Sequence, residues 1–321
     1  MRVLVTGGAG YIGDSVVETL LEMGCQVSVV DKLLYSDSYM RPGVDFHNID
    51  ILSPDFVHFL MRNKYDAIVH LAAIVGDGAC ASNPDLTVRT NEDIVRDITD
   101  YILYFHPNTR LIFASTCSVY GVNNETLDED SVTQPLSLYA GTKLNAEKAI
   151  EGSGIKNYVI FRLGTLFGLS TPFARIRADL VANILAFRAC EGRDLTVFGG
   201  EQWRPLIHVR DVGRIFAEAV DDDYTGKFVL SHRNYKIADI ADEIMENVST
   251  SSRLVKTEAK FEDLRNYKVN NTKSLQNGIL THLTLKDGIR ELEQAYRSGR
   301  IKDPWILPYH NAKFMKELVN V

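Results

Sequence analysis

The first half of the chain alternates short β-branched runs with stretches in which apolar residues recur at helical spacing. This pattern predicts buried strands at 2–6, 26–31, 66–72, 110–115 and 157–163, and helices at 12–23 and 138–150. Strands that alternate with helices are typical of a parallel sheet covered by helices on both faces. The hydrophobic pattern therefore predicts an α/β fold.

After Gly168 the alternation becomes less regular. The pattern there predicts a helix at 176–191, an extended segment at 204–209, a helix at 212–220, a strand at 226–231 and a helix at 237–247. No linker or low-complexity stretch separates the two halves. We therefore expect a first domain at 1–168, with about 205–235 returning to it, and a smaller α/β domain formed mainly by 169–321.

Composition and charge narrow the range of partners. The chain is 45% hydrophobic and 24% charged, with a net charge of −7 and no basic block, which argues against nucleic-acid binding. Its most apolar stretch, 67–75, is about half the length of a membrane span. The N-terminus enters a strand at once, without a signal peptide, so we expect a cytoplasmic protein without a membrane partner. The four cysteines are far apart, and none has another cysteine or a histidine at the spacing of metal ligands. We therefore expect no metal site, and free thiols at Cys25, Cys80, Cys117 and Cys190.

A glycine-rich turn joins the first predicted strand to the first predicted helix. Gly8, Gly10 and Gly13 have GxGxxG spacing, and Gly7 precedes them. Glycines in this position allow a sharp turn and close approach of the backbone to a pyrophosphate, which the helix N-terminus also attracts. Asp31 ends the second strand, where a carboxylate can accept hydrogen bonds from the adenosine ribose. These features predict an NAD site. NAD is favoured over NADP because the 2′-phosphate of NADP would meet the Asp31 carboxylate, although the Lys32 cation could partly compensate.

Tyr139 and Lys143 lie four residues apart on a predicted helix, so both project from one face. The unperturbed pKa of a tyrosine is about 10, too high for a base at neutral pH. We expect the lysine ammonium and the positive nicotinamide ring to lower it, so that the phenolate can take a proton from a substrate hydroxyl. Thr116, at the end of a strand, can hold the same hydroxyl.

Six motifs occur along the chain in the order and spacing of a known family. They are TGGAGYIG (6–13), HLAA (70–73), STCSVYG (115–121), YAGTK (139–143), RLGTLFG (162–168) and RPLIHVRDV (204–212). The chain resembles the extended short-chain dehydrogenases/reductases, specifically the nucleotide-sugar epimerases and dehydratases. The resemblance implies a Rossmann-type NAD-binding domain, a C-terminal domain that binds a nucleoside-diphosphate sugar, and a homodimer formed through two helices per subunit.

The resemblance also implies roles for individual residues. Thr116, Tyr139 and Lys143 correspond to the catalytic group of the family. Arg204 and Arg265 correspond to arginines that bind the substrate diphosphate, and Asp77 is a candidate for holding a sugar hydroxyl or for capping a turn. Arg175 and Arg177 are further diphosphate candidates without a family position. The expected NAD contacts are Gly7, Gly10, Tyr11, Ile12, Asp31, Asp50, Ile51, Leu71, Ala72, Ala73, Asn91, Tyr139 and Lys143.

Departures from the family pattern bear on the reaction. Members that remove water from the sugar have Asp-Glu after the catalytic threonine, whereas this chain has Cys117 and Ser118. A thiol and a hydroxyl are poor substitutes for a carboxyl acid/base pair, which argues against 4,6-dehydration. Oxidation and reduction at C4 remain, most simply as C4 epimerisation.

Two other readings stay open. One is a 4-dehydrogenase or 4-ketoreductase without inversion, for example on a GDP-heptose, since the 72–80 and 170–183 segments resemble a branch that acts on diverse nucleotide sugars. Thr165 also stands where the family usually has an asparagine that contacts the substrate, which argues against UDP-galactose-like recognition. The other is a non-catalytic NAD-binding protein, against which the intact catalytic group argues.

Overall fold

The structure, a computed structural model, describes residues 1–257 and 265–319. Over these residues the strands are β1 (Arg2–Thr6), β2 (Gln26–Val30), β3 (Val44–His47), β4 (Ala67–His70), β5 (Arg110–Thr116), β6 (Val122–Leu127), β7 (Tyr158–Leu163), β8 (Thr165–Phe167), β9 (Leu195–Phe198), β10 (Trp203–His208), β11 (Gly226–Leu230), β12 (Arg233–Lys236), β13 (Leu254–Thr257) and β14 (Asn266–Val269). The α-helices are α1 (Gly13–Glu22), α2 (Pro54–Arg62), α3 (Asp77–Ser82), α4 (Pro84–Val88), α5 (Ile94–Phe105), α6 (Leu138–Gly152), α7 (Val181–Cys190), α8 (Val209–Glu218), α9 (Ile237–Asn247), α10 (Thr272–Gln276), α11 (Leu285–Arg297) and α12 (Asn311–Val319). None of these helices is long and apolar enough to cross a bilayer.

A parallel sheet forms the centre of the first half. Among the described strands, seven pair in the order β11-β7-β5-β4-β1-β2-β3, each parallel to its neighbours. The alternation of side chains along β1 sends Val3 and Val5 to a core with α1 and α8, and Leu4 to a core with α2, α5 and α6. Helices therefore cover both faces of the sheet, and the predicted doubly wound α/β fold is confirmed.

The direction of strand order changes between β1 and β4. From β1 the chain proceeds outward through β2 to β3, whereas β4, β5 and β7 follow one another on the other side. Ligands of such sheets bind in the crevice outside the carboxyl ends of the strands at this point. The residues that follow β1 and β4, together with Thr116 at the end of β5, meet at this crevice.

A second hydrophobic core lies among β8, β10, α7, α9 and α11. Beside it, β12, β10 and β8 form one small sheet and β13 pairs with β9. The chain then returns to the first core, because β11 pairs with β7 and α8 packs so closely on α1 that a Cβ at Gly213 would overlap Ser15. We propose that the domain division follows these two cores, with the boundary at Gly168 and the return near 205–235.

The helix predicted at 176–191 begins five residues later, at Val181. Leu180 is extended, with a ψ of 142°. Asp179 forms an ion pair with Arg177 at 2.6 Å and accepts the backbone N–H of Asn311 at 2.9 Å. These contacts hold 176–180 in a non-helical conformation with a turn at 178–179, so the predicted start of this helix is wrong.

Candidate active site

The glycine turn after β1 packs too closely for side chains. Gly7 has a φ of +74°, and a Cβ there would lie 2.7 Å from the backbone nitrogen of Ala72. A Cβ at Gly13 would overlap the carbonyl oxygen of Gly7. The turn therefore brings its backbone and the N-terminus of α1 to the cavity surface, where unpaired N–H groups and the helix dipole favour a phosphate. This arrangement fits the pyrophosphate of NAD.

Asp31 follows β2 and faces the glycine turn. Its carboxylate accepts the N–H of Ala9 at 3.1 Å and the N–H of Leu33 at 2.8 Å. Burial raises the pKa of Asp31, and these two hydrogen bonds act in the opposite direction. Lys32, the cation that could have favoured NADP, forms an ion pair with Asp50 at 3.2 Å. With Lys32 engaged by Asp50, the Asp31 carboxylate suits the ribose hydroxyls of NAD better than a 2′-phosphate.

Nearly all the predicted site residues line one cavity of about 740 Å³. The exception is Asn91, which lies behind its wall in a π-helical turn. Its side-chain amide is hydrogen-bonded to both the N–H and the carbonyl of Ile74, each at 2.8 Å. The residues that do line the cavity are Gly7, Gly10, Tyr11, Ile12, Asp31, Asp50, Ile51, Leu71, Ala72, Ala73, Asp77, Thr116, Tyr139, Lys143, Arg204 and Arg265. Asn91 therefore supports the backbone of Ile74, which lines the cavity, instead of lining the cavity itself as expected.

The end of β5 and the first turns of α6 bring three polar side chains together. Ser137 caps α6 by accepting the N–H of Ala140 at 3.2 Å, and the helix then presents Tyr139 and Lys143 one turn apart. Tyr139 is partly exposed, and both Tyr139 and Thr116 line the cavity. The Lys143 ammonium is buried over the ring of Phe113, 4.7 Å from its centroid.

Burial dominates the electrostatics of this group. It raises the pKa of Tyr139, with the nearby Thr116 hydroxyl as a smaller opposing effect, and it lowers the pKa of Lys143 to about 8. In the protein alone the tyrosine pKa is therefore raised and not lowered, because desolvation disfavours the phenolate more strongly than the neighbouring groups favour it. The positive nicotinamide ring of NAD would have to supply the missing favourable charge.

Lys143→Met is expected to stabilise the fold while removing activity. A pKa lowered from 10.5 to about 8 means that the folded protein penalises the lysine charge by on the order of 3 kcal/mol below pH 8. Methionine fills a similar volume without a charge. We therefore expect a higher free energy of unfolding for the variant at pH 7, measured by urea denaturation.

This stabilisation should shrink as the pH rises from about 8 to 10.5, because the wild-type lysine then loses its charge in the folded state. Lys148→Met is the matched control, since Lys148 is an exposed lysine on the same helix. It should change stability by no more than about 0.5 kcal/mol. A destabilised Lys143→Met variant at pH 7 would contradict the assigned charge penalty.

The cavity lining also includes two arginines. Arg204, on β10, donates to the carbonyl oxygens of Trp203 and Arg265 at 2.8 and 2.5 Å. Arg265 lies 3.3 Å from the hydroxyl of Ser118 and 3.4 Å from the carboxylate of Asp77. Asp77 also accepts the hydroxyl of Ser137 at 2.7 Å. Asp77 therefore links α3, α6 and the segment before β14, instead of only capping a turn.

The two positions after Thr116 lack acid/base character in the structure as well. The thiol of Cys117 is fully buried and donates to the carbonyl of Arg162 at 3.2 Å, and burial raises its pKa. The hydroxyl of Ser118 lies 3.4 Å from that of Tyr267. Neither group can deliver and remove protons as a carboxyl pair does.

Several cavity residues could not be found from the sequence. They are Tyr35, Tyr267 and Asn311. Arg175 and Arg177, which the sequence did indicate as diphosphate candidates, line the cavity as well. Asn311 is brought there by α12, from the far end of the chain, and no motif marks it. Within the described residues, no group of His, Cys, Asp and Glu side chains is placed to hold a metal ion.

Comparison with known proteins agrees with this geometry. Residues 3–238 match the model of the NAD dependent epimerase/dehydratase family. A UDP-N-acetyl-alpha-D-glucosaminuronate decarboxylase from Bacillus cytotoxicus is 27% identical over 92% of this chain and 98% of its own length. A UDP-glucose 4-epimerase from Halalkalibacterium halodurans is 29% identical over 72% of this chain and 75% of its own.

The fold is also that of a solved structure. The crystal structure of UDP-glucose 4-epimerase with UDP-glucose from Thermotoga maritima has a TM-score of 0.82 at 24% identity, covering 94% of this chain and 100% of that chain. The family match extends over most of the chain, from the glycine turn through Thr116, Tyr139 and Lys143 to Arg204. The chain is thus an enzyme of the NAD-dependent epimerase/dehydratase family, and its cofactor is NAD.

Proposed function

We propose that this enzyme is a nucleotide-sugar C4 epimerase. The observation that carries the proposal is the position of Thr116, Tyr139 and Lys143 at the switch point of the sheet, in the cavity that also contains the glycine turn. Nothing beyond this group and NAD is required to oxidise and reduce a secondary alcohol. NAD, when bound, supplies a reversible two-electron oxidant.

Each of the three side chains has a distinct task in this proposal. Thr116 and Tyr139, which line the same cavity, together hold the hydroxyl on C4 of the sugar. Tyr139 takes the hydroxyl proton during oxidation and returns it during reduction. The Lys143 charge favours the phenolate. For inversion, the sugar ketone turns within the cavity and is reduced on its other face.

The substrate contacts in this proposal come from side chains that line the same cavity. Arg204 and Arg265 bind the diphosphate, as planar bidentate donors suited to phosphate oxygens. Asp77 holds Arg265 and contacts a sugar hydroxyl. The UDP-sugar relatives support a nucleoside-diphosphate sugar as the substrate class. The homodimer and the cytoplasmic location expected from the sequence belong to the same proposal.

A second reaction is favoured by one feature of the cavity. Thr165, on β8, lines it at the position where the family usually has asparagine. A changed contact there can release the ketone before it is reduced, and the enzyme would then act as a 4-dehydrogenase, or in reverse as a 4-ketoreductase. The relative that is a decarboxylase shows that similar chains catalyse other reactions of nucleotide sugars.

Incubation with a panel of UDP-, GDP-, CDP- and dTDP-sugars tests the proposal. Product analysis by NMR, with the absorbance of NADH followed in parallel, separates the candidates. A C4-inverted sugar without net NADH is the expected result. Stoichiometric NADH would establish the dehydrogenase instead, a shortened sugar with released CO₂ would establish a decarboxylase, and the absence of any conversion would overturn the assignment.

A further inference from the structure

The loop between β8 and α7, residues 168–180, leaves the second core and packs on the cofactor half. Near its start, the hydroxyl of Tyr11 donates to the carbonyl of Gly168 at 2.6 Å. Thr171 then donates to Asp14 of α1. The ring of Phe173 lies 4.7 Å from the guanidinium of Arg41. The β8–α7 loop is thus fixed against the elements that build the NAD site.

Arg175 is carried by this loop to the edge of the NAD site. Its guanidinium lies 3.8 Å from the ring centroid of Tyr35, a residue that follows β2. It also donates through Nη2 to the side chain of Asn311. Asn311 in turn donates to the carbonyl of Val75 at 2.8 Å. The β8–α7 loop, the segment that follows β2 and α12 therefore meet at Arg175, and their contacts fix the orientation of its side chain.

Two polar groups at this meeting point have no hydrogen-bond partner among the described residues. The Nη1 atom of Arg175 and the hydroxyl of Tyr35 are both buried without a hydrogen bond, and both side chains line the cavity. Burial lowers the pKa of Arg175 to about 10. A buried guanidinium donor without an acceptor is costly, and such groups are rare in native proteins. A ligand oxygen is the acceptor that this geometry lacks.

Charge and position indicate which ligand supplies that oxygen. Arg175 lies over the ring of Tyr35, four residues after Asp31, which places the guanidinium beside the adenosine end of the cofactor site. The substrate arginines stand elsewhere, since Arg265 contacts Ser118 just beyond Thr116. The neighbouring Arg177 is already neutralised by Asp179 at 2.6 Å.

We propose that Arg175 binds the pyrophosphate of NAD, so that the cofactor is held between the glycine turn on one side and the β8–α7 loop on the other. This assigns Arg175 to the cofactor and not to the diphosphate of the substrate. Release of NAD then requires the loop and the Asn311 contact to move. The assignment is independent of the reaction that follows at C4.

The test is NADH binding to the full-length enzyme, followed by fluorescence, for wild type, Arg175→Met and Arg175→Lys. Displacement of NADH by NAD, ADP and adenosine then gives their affinities. Methionine preserves packing on Tyr35 but removes the donors, whereas lysine keeps the charge. We expect Arg175→Met to weaken NADH, NAD and ADP at least about tenfold, with a smaller loss for Arg175→Lys. Adenosine, which has no phosphate, should bind within about twofold of wild type.

Arg193→Met is the matched control, because Arg193 also lies over an aromatic ring, 5.1 Å from the centroid of Trp305, but outside the cavity. It should bind NADH as wild type does. Unchanged ADP affinity in Arg175→Met would overturn the proposal. An equal loss for adenosine would do the same by assigning Arg175 to the nucleoside. If UDP binding weakens while NADH binding does not, Arg175 belongs to the substrate site. Arg175→Lys keeps the test decisive should Arg175→Met not fold.

Discussion

Tyr139→Phe is expected to lower turnover by about 10²–10⁴-fold, the usual contribution of a positioned acid/base group. The variant keeps the ring, and with it the packing at the start of α6, but it loses the only proton-carrying atom of that side chain. NAD affinity should stay within about twofold of wild type, because the phosphates are held by the glycine turn and not by this ring. Turnover and NADH fluorescence measure the two effects separately.

Tyr101→Phe controls for the loss of a buried hydroxyl as such. Tyr101 lies on α5 and donates to the carbonyl of Asn63 at 2.7 Å, away from the cavity. Its substitution should cost stability of about 1 kcal/mol and leave turnover unchanged. Wild-type turnover in Tyr139→Phe would remove the tyrosine from the mechanism.

Gly13→Ala is expected to abolish NAD binding, with a loss of affinity above about a hundredfold. A Cβ at this position would overlap the carbonyl of Gly7 and crowd Gly8, so the turn must open and the N–H groups of α1 must move away from the phosphates. Because the overlap is with backbone atoms, no side-chain rotation can relieve it. Fluorescence titration with NADH measures the loss.

Gly152→Ala makes the same chemical change where the structure has room. Gly152 lies in the last turn of α6, and a Cβ there meets no atom within 4 Å. Alanine should raise helix stability by up to about 1 kcal/mol without affecting NADH binding. Tight NADH binding by Gly13→Ala would contradict the close packing described for the glycine turn.

Much of the cofactor half follows from local sequence signals. The parallel sheet is encoded in short β-branched runs, and the turn at 7–13 is encoded in glycines that the backbone geometry requires. The pair Tyr139 and Lys143 is set by helical spacing alone. In each case the determinant lies within a few residues of the feature, which is why a sequence pattern reveals it.

The remaining features depend on distant parts of the chain. Arg175 reaches the cofactor site only because the β8–α7 loop packs on α1, and Asn311 joins it from α12. The raised pKa of Tyr139 and the lowered pKa of Lys143 come from burial, which spacing does not encode. Asn91 is likewise expected to contact NAD from the family resemblance, whereas its side chain is hydrogen-bonded to the backbone of Ile74.

The most direct test of the account is isotope transfer during turnover. A nucleoside-diphosphate sugar that carries deuterium at C4, chosen from the substrates found with the panel, is incubated with the enzyme and analysed by NMR. A single active site that oxidises C4 and reduces it again predicts that the C4-inverted product retains the deuterium at C4. Deuterium in free reduced cofactor, or an inverted product that has lost the label to solvent, would contradict it.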